Sequence, residues 1–291
     1  MNTHKRILVT GASSGFGRLT ATTLARAGHT VFATMRQADG KNASARGELD
    51  ALARDEELLL HVLECDIIDE ESVAAAVGRA EDLGKGALDV VINNAGVVAQ
   101  GITEGYKPMQ LEALFDVNVI GAHRVNRAVL PAMRAQGSGL LVHVTSTIGR
   151  FLFPFMAAYC ATKFALEAYA EGLRYEVGPL GIESVIVEPG AFPTNLMASV
   201  VRPADADRVS AYGKVADIPA QISARLEKMM SGSKPADPQQ VADAIQTLID
   251  TPAGERPVRT VVDPFGKNAQ EINEVAARVQ GRVDGGLGVR V

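Results

Sequence analysis

Short runs of apolar and β-branched residues alternate along the chain with longer stretches in which apolar positions recur every three or four residues. The short runs, at 7–9, 31–35, 58–63, 89–93, 140–145, 184–187 and 258–262, predict strands. The longer stretches predict helices over 16–27, 44–53, 70–83, 108–135, 156–178, 238–251 and 271–280, the first of them closed by Gly28. Strand runs that are apolar on both faces, with helices between them, predict βαβ units, right-handed crossovers and a parallel sheet covered on both sides. The expected class is α/β, with a doubly wound, mainly parallel sheet. Composition shifts once, at 202–238, where Pro, Ser, Asp and Lys surround an amphipathic piece at 218–230. A connection that long inside a compact domain predicts a lid, placed at about 195–237. No other boundary interrupts the pattern, so residues 1–291 read as a single domain. A glycine-rich C-terminal extension from about 266 to 291 is expected to fray after the last helix.

Composition narrows the function classes. At 291 residues, with 47% hydrophobic side chains and a mean hydropathy of +0.08, the chain can build a full core without staples. A formal net charge of −5 argues against a nucleic-acid partner, which calls for a basic face. Two cysteines, Cys65 and Cys160, are too few for a disulfide framework and point to a reducing, cytoplasmic setting. No apolar run reaches the roughly 18 residues of a membrane span. The first strand pattern follows the N-terminus too closely for a signal peptide, and no metal site is expected.

Chemistry first shows between the first strand and the first helix, in Thr10-Gly11-Ala12-Ser13-Ser14-Gly15-Phe16-Gly17. Gly11 permits a tight turn, Gly15 lets backbone approach a pyrophosphate, and Gly17 lets the helix pack close to the strand. The free N–H groups and dipole of the helix N-terminus suit phosphate. Glycine pairs are common in loops, and it is the strand-turn-helix context that gives this one weight. The second strand ends at Met35-Arg36, where an NAD site places a carboxylate for the ribose hydroxyls. A guanidinium there can pair with a 2′-phosphate, so NADP(H) is the expected cofactor and NAD(H) the alternative. An unengaged surface cation is the bland reading of Arg36.

Tyr159 and Lys163 lie four residues apart on a predicted helix and share one face. A phenol with pKa near 10 is a poor acid or base at neutral pH, and a neighbouring ammonium stabilises its phenolate. Such pairs also arise by chance. This one is joined by Ser146, 13 residues upstream, after the strand at 140–145 and on the same sheet edge as the glycine loop.

With these motifs the chain resembles the short-chain dehydrogenase/reductase family, in its compact single-domain Rossmann branch, over residues from about 5 to 265. The family's TGxxxGxG corresponds to 10–17. Its Asn-Asn-Ala-Gly stands as Asn93-Asn94-Ala95-Gly96, its helix asparagine as Asn118, and its YxxxK as Tyr159-Cys160-Ala161-Thr162-Lys163. Ser146, Pro189-Gly190 and Thr194 complete the pattern. The resemblance implies an enzyme in which Tyr159 is general acid or base, Lys163 tunes it and binds the nicotinamide ribose, and Ser146 orients the carbonyl. Asn118 would hold a water for proton resupply, although without the family it reads equally well as an amide capping local backbone. Around the dinucleotide the resemblance implies Gly11, Ser13, Ser14, Gly15, Phe16 and Gly17 at the phosphates. It implies Asp66 and Ile67 at the adenine, Asn93, Ala95 and Gly96 near its ribose, and Pro189, Gly190 and Thr194 at the carboxamide. His143 and Thr145 depart from frequent family choices without touching this chemistry.

The walls expected around a substrate are apolar. Phe151, Leu152, Phe153, Phe155 and Met156 lie between Ser146 and Tyr159, and Phe192, Leu196, Met197 and Val200 open the lid. Phe153, Phe155, Phe192, Leu196 and Met197 are the candidate substrate contacts, although some of these side chains could equally be core or interface. They predict a hydrophobic ketone, aldehyde or alcohol, and strings such as 159–166 are similar to hydroxysteroid and retinol dehydrogenases in the family. The resemblance further implies a homodimer or homotetramer through the helices at 108–135 and 156–178. A dinucleotide sensor of the same fold is the competing reading, and retention of Tyr159, Lys163, Ser146 and Asn118 speaks against it. An epimerase of the longer branch would show GxxGxxG and a larger C-terminal domain.

Overall fold

Residues 4–194, 200–230 and 235–288 are described by a computed structural model. Among them, seven strands form one parallel sheet: β1 (Arg6–Val9), β2 (Thr30–Met35), β3 (Leu60–Glu64), β4 (Val90–Asn93), β5 (Gly139–Val144), β6 (Ile182–Pro189) and β7 (Arg259–Val262). Their order is β3-β2-β1-β4-β5-β6-β7. The chain runs outward from β1 in one direction and then returns to start β4 on its other side. The carboxyl ends of β1 and β4 therefore flank the switch point, where an open α/β sheet leaves a crevice.

Alternation along the strands divides the core in two. Val31 and Ala33 of β2 and Val90 and Ile92 of β4 pack toward α1 (Gly15–Arg26), α2 (Ala43–Asp55) and α9 (Gln239–Asp250). Leu8, Phe32 and Val91 point the other way, toward α3 (Glu70–Gly84), α5 (Gly121–Gln136) and α6 (Ala157–Val177). A third cluster, including Val98, Tyr106, Leu114 and Met156, supports the loops beyond the sheet edge.

The long helix expected over 108–135 is divided. α4 (Pro108–Phe115) and α5 are joined by one π-helical turn, Asp116–Ile120, which carries Asn118. Such a turn widens the backbone ladder and re-aims a side chain, and it is common at functional sites. The segment expected as a lid contains α7 (Ala206–Ser210) and α8 (Ile218–Met230). It is tied to the body: Val201 N–H donates to the Val98 carbonyl at 2.8 Å, and Ser223 Oγ donates to Gln100 Oε1 at 2.7 Å.

The C-terminal expectation is corrected. α10 (Asn268–Leu287) continues through Gly281, Gly285 and Gly286 instead of fraying. Glycine costs a helix about 1 kcal/mol per residue, and side-chain anchors offset that here. The Tyr175 hydroxyl lies 2.8 Å from Asp284, and Arg150 Nε donates to Asn273 Oδ1 at 2.7 Å.

His143 of β5 is fully buried, and among the described residues neither ring nitrogen has a hydrogen-bond partner. Burial lowers its pKa to about 4, whereas an unfolded histidine titrates near 6.5. Between those values the unfolded chain binds the extra proton, so stability is full above about 6.5 and drains as pH falls toward 4. The loss amounts to about 3 kcal/mol. Urea unfolding of His143→Leu at pH 7.5 and 4.5 should show a pH difference smaller by roughly that amount than in the parent chain. An unchanged difference would mean that His143 is not what acid titrates.

Candidate active site

One cavity of about 780 Å³ runs along the carboxyl edge of the sheet, from Arg36 and Lys41 after β2, past the glycine loop, to Ser146, Tyr159 and Lys163. Its far wall is apolar, formed by Phe151, Phe153, Met156, Phe192, Leu226 and Met230.

The glycine loop is built for a close backbone approach. Gly11 has φ +69°, and a Cβ on it would lie 2.8 Å from Ala95 Cα; one on Gly17 would fall on the Gly11 carbonyl oxygen. α1 therefore starts directly above the crevice. Ser14 caps it with extended backbone and no side-chain cap bond, and its first turn holds no acidic residue. Those N–H groups and the uncompensated dipole end match an anionic phosphate. Thr10 and Asn94 brace the loop from beneath. Thr10 Oγ1 accepts from the N–H of Asn94 at 3.0 Å and of Ala95 at 3.1 Å, while Asn94 Nδ2 donates to the Thr10 carbonyl at 2.8 Å. A dinucleotide diphosphate fits this cradle.

Most residues that the sequence assigns to the site line the cavity, including Ser13, Asp66, Ile67, Gly96, Pro189, Gly190 and Thr194. Four do not. Gly17 packs the helix against the loop, as its spacing predicts. Asn93 is buried, and its Nδ2 donates to Asn126 Oδ1 at 2.8 Å. Asn118 is buried beside the cavity with its amide committed: Oδ1 accepts from Val97 N–H at 2.8 Å, and Nδ2 donates to the Val97 carbonyl and to Thr162 Oγ1, each at 2.9 Å. Phe155 does not line the wall either; its backbone takes φ +61° and turns the chain between Phe153 and Met156. Leu152 is exposed. Leu196 and Met197 lie outside the described residues.

Tyr159 and Lys163 project from one face of α6, with Nζ 5.8 Å from the ring centroid. Lys163 donates to the Val144 carbonyl at 3.1 Å. Burial lowers its pKa to about 8, against the opposing pull of the Glu167 carboxylate one turn further on. Burial also pushes the Tyr159 phenol above its ordinary value. This corrects the simple expectation that the ammonium lowers it: both groups lack water, and desolvation of the phenolate outweighs the attraction. The Tyr159 hydroxyl is thus a neutral proton donor at neutral pH. Ser146 Oγ donates to the Pro189 carbonyl at 3.3 Å, on the same rim. Cys160 packs in the cluster under the loops, and burial pushes its thiol up.

Several lining or bracing residues escape the sequence reading. Lys41 belongs with Arg36, yet nothing in its own spacing marks it. The segment from Asp263 through Phe265 to Asn268 lines the cavity because α10 docks, and an expected frayed tail hides that. Asn94 and Thr10 stand inside quoted motifs, and only the bonds between them show their work.

The short chain dehydrogenase family profile matches residues 5–205. The chain is 34% identical over 268 residues to an uncharacterized oxidoreductase, YusZ, of Bacillus subtilis, which covers 90% of this chain and 89% of that one. It is 36% identical over 192 residues to the mitochondrial D-beta-hydroxybutyrate dehydrogenase of Rattus norvegicus, over 65% of this chain and about half (54%) of that protein's length. Among solved structures, a short-chain dehydrogenase from Streptomyces avermitilis superposes with a TM-score of 0.75 at 32% identity, over 100% of both chains.

Proposed function

The chain belongs to the short-chain dehydrogenase/reductase family, oxidoreductases that act on CH–OH groups, and from that premise we propose that it is an NADP(H)-dependent reductase of neutral, apolar ketones or aldehydes, working reversibly on the alcohols. The observation that carries the reading is that Ser146, Tyr159 and Lys163 share one cavity with the bare N-terminus of α1. A nicotinamide dinucleotide, held by the glycine loop, Asp66, Ile67 and Thr194, supplies or accepts the hydride when bound. The side chains do the rest. Ser146 turns its hydroxyl from the Pro189 carbonyl to the substrate carbonyl and orients it. Tyr159 delivers its proton to the same oxygen during reduction and takes it back during oxidation. Lys163, charged below about pH 8, stabilises the phenolate left behind. Asn118 braces the loop after β4 against α6, so that Gly96 and Lys163 keep their places.

Wall chemistry supports the substrate class. Among the described lining residues the cations are Arg36, Lys41 and Lys163, none of them on the apolar wall. Arg150 is engaged by Asn273, and Arg202 Nη1 donates to Gln100 Oε1 at 2.9 Å. Asp263 adds a carboxylate to the rim. A substrate carboxylate would therefore be desolvated without a partner. Helices α7 and α8 form the lid in this reading. Exposed Met109 on α4, Ile120 at the end of the π turn before α5, and Phe164 on α6 support a homo-oligomer.

Rates with NADPH on 2-octanone, cyclohexanone derivatives and acetoacetate test the proposal. Apolar ketones should exceed acetoacetate in kcat/KM by about a hundredfold, the scale of an unpaired charge in an apolar pocket. Faster turnover of acetoacetate would assign the hydroxy-acid chemistry named in the rat relative. Dinucleotide binding without turnover would favour the sensor reading.

A further inference from the structure

Behind Ser146 lies a buried ionic cluster that the proposed chemistry does not use. Glu167 of α6 and Glu188 of β6 are both buried, and Arg259 of β7 reaches both. Its Nε lies 2.9 Å from Glu167 Oε2 and 3.3 Å from Glu188 Oε1, while Nη2 donates to Glu171 at 2.7 Å. One guanidinium among three carboxylates leaves negative charge in excess. Burial and the neighbouring Glu167 raise the Glu188 pKa well above the carboxylate range. The other Glu188 oxygen, Oε2, accepts from Asn273 Nδ2 at 2.6 Å, and Oδ1 of the same amide accepts from Arg150 Nε at 2.7 Å.

Both ends of this amide bridge lead to Ser146. Glu188 precedes Pro189, whose carbonyl accepts from Ser146 Oγ. Arg150 closes the 3-10 turn Thr147–Gly149 that Ser146 opens: Gly149 N–H donates to the Ser146 carbonyl at 2.9 Å, and Arg150 N–H donates to Thr147 at 3.0 Å. The turn has little slack, since a Cβ on Gly149 would lie 3.1 Å from Glu167 Cγ and 3.2 Å from the Lys163 carbonyl oxygen. Asn273 stands on α10, beyond the residues 5–205 that match the family.

We propose that Asn273 is a positioning residue for the reaction, a side chain of the C-terminal helix that fixes the Ser146 hydroxyl by tying together the two backbone segments flanking it. The proposal rests on Ser146, Tyr159 and Lys163 being the reacting group. An amide suits the post because the bridge needs an uncharged donor toward Glu188 and, back to back with it, an acceptor toward Arg150. A carboxyl can supply both only while protonated. The charged groups facing Glu188 are Glu167 from α6, Arg259 from β7, which also holds Glu171, and Arg150 from the turn after β5. An added carboxylate at 273 would face the Glu188 carboxyl at hydrogen-bond distance, and the two groups would have to share a proton.

Asn273→Ala and Asn273→Asp, assayed from about pH 5 to 9 with an apolar ketone, test this. Neither variant frees the helix, because the Tyr175 contact to Asp284 holds its far end. Asn273→Ala should lower kcat about tenfold at every pH, the scale of one charge-assisted hydrogen bond, with the dinucleotide KM unchanged. Asn273→Asp should approach the parent kcat near pH 5, where a shared proton restores the donor, and fall to the alanine level by about pH 8. If both variants keep the parent kcat and only lose melting temperature, Asn273 merely fastens α10 and the proposal fails. An aspartate profile parallel to that of the parent overturns it as well. Tyr159→Phe in the same assay separates the two readings: undiminished turnover there rejects the catalytic group itself, whatever residue 273 does.

Discussion

Tyr159→Phe is expected to lower kcat by about three orders of magnitude, the upper range for loss of a general acid, while dinucleotide affinity stays within a few-fold. The variant removes one oxygen from a side chain that is already buried, leaves no new cavity, and keeps the ring beside Lys163. The loss would therefore be chemical. The parent enzyme carries a second signature of the same pair. Burial holds the Lys163 pKa near 8, below the ordinary lysine value. The ammonium is complete below that pH and lost above it, so carbonyl reduction should decline as pH rises through about 8. Initial rates at saturating ketone and dinucleotide measure both effects. A phenylalanine variant within tenfold of the parent would show that another group delivers the proton.

Much of this arrangement can be read from local rules. Strands that are apolar on both faces need helices on both sides, so Val31–Met35 or Ile7–Val9 could hardly be anything but central strands of a parallel sheet. Glycines at 11, 15 and 17 are costly unless backbone must come close, and a helix begins just there. What local rules miss is set by distant partners. The glycines at 281, 285 and 286 read as a tail, yet they are helical because Asp284 and Asn273 find Tyr175 and Arg150 more than a hundred residues away in the chain. The commitment of Asn118 to Val97 depends on a π turn that no periodicity announces. Phe155 has the right chemistry for a wall, but a positive φ carries it out of line. The pKa of Tyr159 shows the same limit. Spacing pairs it with Lys163, and only burial decides which effect prevails.

Arg36→Ala and Lys41→Ala together are expected to weaken NADPH by about a hundredfold or more and NADH by no more than about threefold, each cation contributing a charge-assisted contact to a 2′-phosphate. Both side chains line the adenosine end of the cavity, and neither takes part in an ion pair among the described residues. The carboxylate that ends β3 beside this corner is already occupied. Glu64, at the end of β3, accepts from the N–H groups of Gln37 and Ala38, each at 2.6 Å, and so shapes the loop that presents Arg36. Asn42 Nδ2 donates to the Arg36 carbonyl at 2.6 Å and fixes the other side of the turn. With Glu64 spent on backbone, no acid stands where NAD sites put one for the ribose hydroxyls. Both cations are exposed, so their attraction is screened. The ratio of NADPH to NADH affinity in the parent should therefore shrink as ionic strength rises, and in the double variant it should be flat. Equal losses for the two dinucleotides, or a ratio indifferent to salt, would remove the 2′-phosphate from this corner and leave NAD(H) as the cofactor.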